Sequence, residues 1–406
     1  MNRFLADKAR LLFLNVGHFA DHLFMLIFAK AAFSAGLDFG LAKDGAYAEM
    51  IPYGVPSMIL FGACAPIAAH FADRWSRHGM IAVFFVGIGL ASVATSFAAS
   101  PFEIGVGLAA IGVFAAIYHP VGIAMVVEGG GNVGWRLGTN GVWGNMGVAA
   151  APLITGLILA DYDWRLAFAI PGAVSVLIGL GYAALTRSGR MRPPHPCPRE
   201  RALVGFAPGW PRALFALALV TAAGGFVFGA MTFIVPRMFE VSMPNVSVDV
   251  AVTGALAALV YAGAAWTQLA VGRIIDSRPV KPVLATIALG QSILIALMGM
   301  QVDYALLAAS LLAMAFVFGQ IPIVDAVLAR YVPDAWRAKV LSVKFMLNLV
   351  IGALALLTAR HVLAAGGGFA TLMMVLAVAA GLVFLAALLL PARETGVAVP
   401  ATAPAE

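Results

Sequence analysis

Three ionisable residues cluster near the middle of one apolar stretch at the start of the chain. The run from Leu11 to Phe33 reads LLFLNVGHFADHLFMLIFAKAAF and contains His18, Asp21 and His22. A carboxylate in the hydrocarbon core of a bilayer costs at least about 2.5–3.5 kcal/mol on insertion scales, so it is seldom kept there without a use. Beside histidines it can take up and release protons, because histidine changes charge near neutral pH. The alternative is a polar group that joins this helix to a neighbour.

A third histidine lies at a similar depth in another apolar stretch. At about 1.5 Å per helical residue, Asp21 is about 15 Å from the start of its stretch, and His119 is about 13 Å from the inner end of its own. His18 shares a helix face with Asp21 and His22, which follow three and four residues later. The residues predicted to couple protons are Asp21, His18, His22 and His119. The alternative for His119 is a structural hydrogen bond beside the break at Pro120.

The composition places these residues in a membrane protein. Of the 406 residues, 62% are hydrophobic and 11% are charged, whereas a soluble domain carries about 25% charged residues. The mean hydropathy is +0.96. The net charge of +6 therefore reflects loop charges that set orientation. The expected partner is the lipid bilayer, and no nucleic acid is expected.

Twelve apolar stretches are long enough to cross a bilayer core of roughly 30 Å as helices. They centre on 11–33, 48–70, 79–99, 102–126, 136–159, 164–186, 212–236, 248–272, 280–300, 303–329, 337–360 and 368–390. The stretch 187–211 is rich in proline and arginine, which predicts a cytoplasmic linker between two six-helix halves, 1–186 and 212–391. Residues 392–406 are predicted to form a disordered cytoplasmic tail.

Lysine and arginine are distributed unevenly between the two ends of these stretches. With the N-terminus inside, the cytoplasmic segments hold nineteen of them and the outer ends five, while Lys344 lies within a span. Positive loops stay in the cytoplasm, so both termini are expected there, in a multi-pass protein of a bacterial-type inner (plasma) membrane. Lys30 is counted among the outer charges, and Arg237 and Glu240 are interpreted as charges at the outer rim.

The two halves repeat each other at offsets near 200 residues. The motif at 69–78, AHFADRWSRH, follows the second stretch, and GRIIDSRPVK at 272–281 follows the eighth. Trp-Arg opens both the fifth and the eleventh stretch, at 135–136 and 336–337, and Pro120 in the fourth is matched by Pro322 in the tenth. Parallel six-helix repeats place a binding site near the middle of the membrane, where the halves meet.

Together these features resemble the major facilitator superfamily over essentially the whole chain. Asp73-Arg74-Trp75-Ser76-Arg77 and Asp276-Ser277-Arg278 are similar to the superfamily's loop pattern of glycine, three variable residues, aspartate, arginine, one variable residue, glycine and arginine. Ala69 and Ser76 replace both glycines in the first copy. The resemblance implies an all-α membrane protein with twelve transmembrane helices in two six-helix pseudo-repeats. It also implies that this loop latches the cytoplasmic side, which assigns Asp73, Arg74, Arg77, Asp276 and Arg278 to gating.

A narrower resemblance covers the first half of the chain. The stretches Gly17-His18-Phe19-Ala20-Asp21-His22, Tyr118-His119-Pro120 and Gly144-Asn145-Met146-Gly147 are similar to those of the fosmidomycin-resistance-type exporters. Those proteins usually have an acidic residue where this chain has Val121. The resemblance implies export of a small anionic compound such as a phosphonate.

Polar and aromatic groups from both halves reach the middle of the membrane. The residues predicted to bind substrate are Asn145, Tyr118, Trp143, Gln291 and Gln320. Asp325 and Lys344 lie at matched depths in adjacent stretches, so they are assigned to an inner gate as an ion pair. The alternative is that Lys344 extends alone to the cytoplasmic water. Glycines 138, 141, 144 and 147 predict a close helix contact along the fifth stretch.

Neither catalysis nor a cofactor is predicted. The chain has no nucleotide-binding Walker loop and no Cys–His pairing suited to zinc, so no metal site is predicted. Cys64 and Cys197 fall in a span and in the linker, which argues against a disulfide. The predicted function is proton-coupled efflux, by antiport, of a small organic compound, carried out by a monomer. The alternatives are uptake of a small metabolite or metal ion, or a non-transporting sensor of the same fold.

Overall fold

The structure is a computed structural model that describes residues 3–128, 133–189 and 205–391. The predicted tail 392–406, and residues 190–204 of the predicted linker with Cys197, lie outside these ranges. Within them, twelve helical spans are long and apolar enough to cross a membrane, which confirms the predicted number and order. The described chain contains helices and no strands, as the predicted all-α fold requires.

Eight of the described spans are single helices. They are Arg3–Asp38 (first span), Arg77–Thr95 (third), Val133–Asp161 (fifth), Trp164–Arg187 (sixth), Trp210–Ser242 (seventh), Val280–Met298 (ninth), Asp334–Ala364 (eleventh) and Gly368–Leu388 (twelfth). Short polar side chains fix where several helices begin, because they accept hydrogen bonds from the otherwise unpaired N–H groups of the first turn. Ser76 does so for the third span, and Asp163 for the sixth.

The second, fourth, eighth and tenth spans are each interrupted within the membrane. The second span consists of Ala46–Met50, Ile51–Gly54 (a 3₁₀ turn), Val55–Ala63 and Ala65–Arg74. The fourth consists of Pro101–Ala115, Tyr118–Gly122 (a π-helical turn) and Ile123–Glu128. The eighth consists of Val250–Ala265 and Thr267–Ser277, and the tenth of Asp303–Gly319 and Ile321–Tyr331. Pro66, Pro120 and Pro322 lie at three of these breaks. A proline there lacks an N–H and its ring clashes with the carbonyl four residues earlier. The breaks recur at equivalent positions of the two halves.

Both chain ends of the described bundle lie on one side, which we call the terminal end; the opposite side is the distal end. The two halves are joined by contacts of the first span with the seventh, the fifth with the eighth, and the second with the eleventh. Near the distal end, Gly156 and Gly254 let the fifth and eighth spans cross closely, because a side chain on either would meet the partner's backbone.

The terminal parts of the interrupted spans pack differently. Four of these segments pack mainly against helices of their own half, namely Ala65–Arg74, Ile123–Glu128, Thr267–Ser277 and Ile321–Tyr331. The halves are therefore joined at the distal end and spread apart at the terminal end.

Candidate functional site

Asp21 is fully buried near the middle of the first span, with an exposed fraction of 0%. Its Oδ2 lies 3.3 Å from Nε2 of His119, in the π-helical turn of the fourth span. The two groups are close enough for an ion pair but are not aligned for a hydrogen bond, and neither carboxylate oxygen has a hydrogen-bond partner among the described residues. Buried polar groups in proteins are nearly always hydrogen-bonded. The Asp21 carboxylate is an exception, which indicates that it needs a further partner.

Three histidines surround this carboxylate. The ring centroids of His18 and His22 are 5.1 Å apart, those of His18 and His119 5.2 Å, and those of His22 and His119 5.6 Å. One nitrogen of each ring lies within 4.8 Å of the others. The structure thus brings together the four residues predicted from sequence to couple protons. Their role in coupling stays a prediction.

The ring of His18 is held in one orientation by the fifth span. Its Nδ1 lies 2.8 Å from the backbone oxygen of Asn140. A carbonyl oxygen only accepts hydrogen bonds, so Nδ1 carries the proton, and Nε2 of the neutral ring keeps its lone pair. The Asn140 amide donates to Asn15 Oδ1 at 3.0 Å and to the Tyr118 hydroxyl at 2.8 Å, and that hydroxyl donates to the oxygen of Leu14 at 2.6 Å.

Glycines make room for these rings. A Cβ at position 144 would lie 2.6–2.8 Å from three ring atoms of His18, and one at position 17 would lie 2.8 Å from the ring of Tyr118. Real Cβ atoms do not come this close, so His18 and Tyr118 occupy their positions only because glycine faces them. Gly147 packs in the same way against the backbone at Phe19, whereas nothing lies near position 141. The predicted glycine row is therefore a close contact at two of its members.

His119 faces the other half of the protein. Its ring centroid lies 4.8 Å from that of Phe345 in the eleventh span and 5.7 Å from that of Phe61 in the second. Phe61 and Phe345 also pack edge to face at 5.3 Å. The His119 side chain keeps 19% of its surface exposed, whereas Asp21 keeps none. His119 is therefore the member of the cluster that links the buried carboxylate to the interface between halves.

The residues predicted to bind substrate lie in different surroundings. Tyr118 is fully buried within the first half, and its hydroxyl is already hydrogen-bonded. Asn145 is 8% exposed, and Trp143 is half-buried against Phe19. Gln291 is fully buried in the ninth span with both amide atoms unpartnered among the described residues, and Gln320 lies at the break of the tenth. Their contact with a substrate stays a prediction.

The predicted gating residues of the first half form an ion-pair chain. Arg77 lies 3.1 Å from Asp73 and also pairs with Glu128 at the end of the fourth span. Arg74 is exposed at the same end. In the second half, Asp276 and Arg278 are exposed, and Arg330 donates to the oxygen of Ile275. The first copy of the loop motif thus ties the second and third spans to the fourth within the first half. The gating role of these residues stays a prediction.

The described structure contains the pair of Asp325 and Lys344, which the sequence left open. The Lys344 ammonium lies 2.5 Å from Oδ1 of Asp325. The carboxylate side chain is 55% exposed and that of Lys344 is 22% exposed. The pair therefore joins the tenth and eleventh spans within one half.

Sequence reasoning missed a buried network at the terminal end. Asp7 accepts hydrogen bonds from Arg10 and Arg136, each at 2.8 Å. The two guanidinium groups also donate to the backbone oxygens of Met125 and Val126, at the end of the fourth span. The sequence predicts Arg10 and Arg136 as cytoplasmic loop charges, but in the structure they are 1% and 6% exposed. They join the first, fourth and fifth spans.

A second missed network closes the distal end and corrects one interpretation. The Lys30 ammonium, fully buried, lies 2.5 Å from Glu240 and donates to Thr253 at 3.0 Å. Arg237 also pairs with Glu240, at 2.5 Å, and stacks over Phe33 at 3.4 Å from the ring centroid. The interpretation of Arg237 and Glu240 as outer-rim charges agrees with their position at the distal end but not with their surroundings, because their side chains are only 16% and 13% exposed. They bond the first span to the seventh and eighth.

The family model described as Major Facilitator Superfamily matches residues 23–244. The puromycin resistance protein pur8 of Streptomyces alboniger is 33% identical over 135 residues, which cover 32% of this chain and 27% of that protein. The match therefore spans little more than a quarter of that relative's length. The narrower resemblance to fosmidomycin-resistance-type exporters therefore stays a prediction.

Solved structures support the fold over nearly the full length. A bacterial homologue of the human lysosomal transporter Spinster, in an inward-facing and unoccupied conformation, matches with a TM-score of 0.74 and 16% identity, over 95% of this chain and 97% of that one. A D-xylose–proton symporter matches with a TM-score of 0.71 and 13% identity, over 94% and 95% of the two chains. At such identities the likeness establishes the fold, and substrates do not carry over.

Proposed function

The chain belongs to the Major Facilitator Superfamily, and from that premise we propose that it is a proton-coupled secondary transporter that exports a small organic compound by antiport. The single observation that carries the coupling is the buried, unpartnered carboxylate of Asp21 beside His119. The partial similarity to a puromycin resistance protein supports an organic, drug-like cargo.

The contacts between the halves support transport by alternating access. The distal end is closed by Lys30, Glu240 and Thr253, and the terminal end is spread apart. With the termini in the cytoplasm, as the positive loops predict, this conformation faces inward. Transport then requires the distal ion network to break while the terminal ends of the interrupted spans close.

The coupling step depends on the charge of the cluster. A bare carboxylate is costly once the cavity closes around it, whereas a protonated one is neutral, so binding a proton favours closure. The titratable groups that act on His119 are Asp21, His18, His22 and the ammonium of Lys344. Phe345, next to Lys344 in sequence, touches His119 from the second half. This contact transmits a change at the cluster to the opposite half.

Uptake by proteoliposomes tests the proposal. Liposomes containing the purified protein receive an imposed pH gradient, and the accumulation of labelled puromycin and of a labelled phosphonate is measured. We expect accumulation of one probe above that in protein-free liposomes, and its loss when a protonophore collapses the gradient. Equal accumulation with and without protein for both probes, in protein shown to be folded, overturns the proposal.

A further inference from the structure

We propose that His18, His22 and His119 form a binding site for a divalent transition-metal cation, with Asp21 as a fourth ligand. One nitrogen from each ring lies within 4.8 Å of the others, and the carboxylate lies 3.3 Å from one of them. Imidazole is a good ligand for Zn²⁺, Co²⁺, Ni²⁺ and Cu²⁺. Three neutral imidazoles and one carboxylate form a four-coordinate donor set of the kind that zinc takes.

The spacing of the donors fits this chemistry after small ring rotations. Two nitrogens that each lie about 2.0–2.1 Å from a tetrahedral zinc are about 3.3 Å apart. The histidine nitrogens here lie within 4.8 Å of one another, so each must move inwards by less than the width of its ring. His18 and His22 are four residues apart on one helix, the spacing at which paired histidines bind zinc from a helix face. His119 completes the set from the fourth span.

The surroundings of His18 are those of a metal ligand. Its Nδ1 donates to the backbone oxygen of Asn140 at 2.8 Å, and metal-binding histidines almost always donate their second nitrogen to a carbonyl or carboxylate. This bond fixes the tautomer whose Nε2 is free to bind a cation. Asn140 is itself held by Asn15 and Tyr118. The orientation of the ligand is therefore set before any cation arrives.

Charge and access agree with a cation. Asp21 is completely buried and has no hydrogen-bond partner among the described residues, so it supplies a negative charge that a cation would neutralise. The His119 side chain is 19% exposed, so the cluster is not completely sealed from its surroundings. Binding itself does not depend on transport. Competition of the cation with a coupling proton rests on the proposed function, because both use the same lone pairs.

Cobalt absorption tests the site directly. Purified wild-type protein, with any purification tag removed, is titrated with Co²⁺ in detergent and with no transported compound present. We expect one equivalent to bind, with visible bands of tetrahedral Co²⁺, and affinity at least about tenfold weaker in His22→Gln and His119→Gln. His70→Gln and His361→Gln are matched controls, because both histidines are exposed and lie outside the cluster, and they should bind as the wild type does.

A variant that gains a spectroscopic signal completes the test, because a misfolded glutamine variant would also lose Co²⁺ binding. In His22→Cys, a thiolate replaces one imidazole, so bound Co²⁺ should acquire a sulfur charge-transfer band in the near ultraviolet that His361→Cys lacks. Absence of saturable binding to the wild type, or equal affinity in the cluster and control variants, overturns the proposal. A protein that binds Co²⁺ but moves neither probe of the uptake assay refutes the proposed function alone.

Discussion

The two halves of the molecule use the same packing positions for different chemistry. In the first half, Gly17 faces the ring of Tyr118; about 200 residues later, Gly224 faces the amide of Gln320. The first and fifth spans meet where His18 packs on Gly144. The seventh and eleventh meet at the equivalent point, where Gly225 faces Asn348.

The helix contacts are therefore alike in the two halves, whereas the side chains at these contacts differ in chemistry. The duplicated positions keep one small and one large partner, because two helix backbones approach closely only where glycine leaves space. The large partner is ionisable in the first half at His18, and an uncharged amide in the second at Asn348 and Gln320. The first half therefore holds the titratable cluster, and the second half touches it through Phe345.

The largest expected effect comes from the contact that joins the halves at the distal end. Glu240→Gln leaves the fully buried Lys30 ammonium without a carboxylate. Breaking a buried pair in this way costs about 3–5 kcal/mol, so the distal end should open. The measurement is the labelling rate of Ala46→Cys, a buried distal position, with Cys64→Ala and Cys197→Ala in the background.

A matched control removes an ion pair that lies within one half. Arg165 pairs with Asp38 at 2.8 Å in the first half, and both side chains are at least a third exposed. Arg165→Gln should leave the labelling of Ala46→Cys unchanged. An equal labelling rate in Glu240→Gln and the wild type would contradict the role assigned to the distal network.

The next largest effect is expected at the glycine contacts of the two halves. Gly144→Ala and Gly225→Ala each place a methyl group against a large partner, and overpacking of this kind costs about 1–3 kcal/mol. Thermal unfolding should therefore shift downwards in both variants. Gly141→Ala is the control, since nothing lies within 4 Å of its Cβ position. A Gly144→Ala protein as stable as Gly141→Ala would refute the packing account.

A smaller effect is expected at the aromatic contact between the halves. Phe345→Leu loses the edge-to-face contact with Phe61 and the contact with His119, and such aromatic pairs contribute about 0.5–1.5 kcal/mol. A double-mutant cycle with Phe61→Leu, followed by thermal unfolding, measures the coupling. Additive effects of the two substitutions would show that the contact contributes no interaction energy.

The smallest effect is expected at the Asp325–Lys344 pair. The carboxylate side chain is 55% exposed, and exposed ion pairs contribute about 0–1 kcal/mol. Lys344→Met should therefore change thermal unfolding little. A large loss of stability would show that the pair is held as tightly as the distal network.

Much of the frame could be predicted from the sequence. Apolar length and the spacing of Pro120 and Pro322 predicted the spans, their order and the repeat, because membrane helices must satisfy their own backbone. The proximity of His18, Asp21 and His22 followed from helical spacing. The position of His119 beside them followed from its matched depth in the fourth span.

The partners that lie far apart in the chain could not be predicted. Lys30 and Glu240, or Asp7 and Arg136, are separated by more than a hundred residues. Depth can be counted along a helix, but the rotation of each helix about its axis depends on packing. His18 and His22, four residues apart on one helix, are the part of the proposed metal site that helical spacing alone can indicate.

Proton movement in two carboxylate variants tests the central claim most directly. Proteoliposomes enclosing a pH-sensitive dye are given the probe that the wild type transports, and Asp21→Asn is compared with Asp325→Asn. One carboxylate is buried in the first half and the other is exposed in the second. The account predicts that the substrate-driven proton signal disappears in Asp21→Asn and persists in Asp325→Asn. A wild-type signal in Asp21→Asn would contradict it.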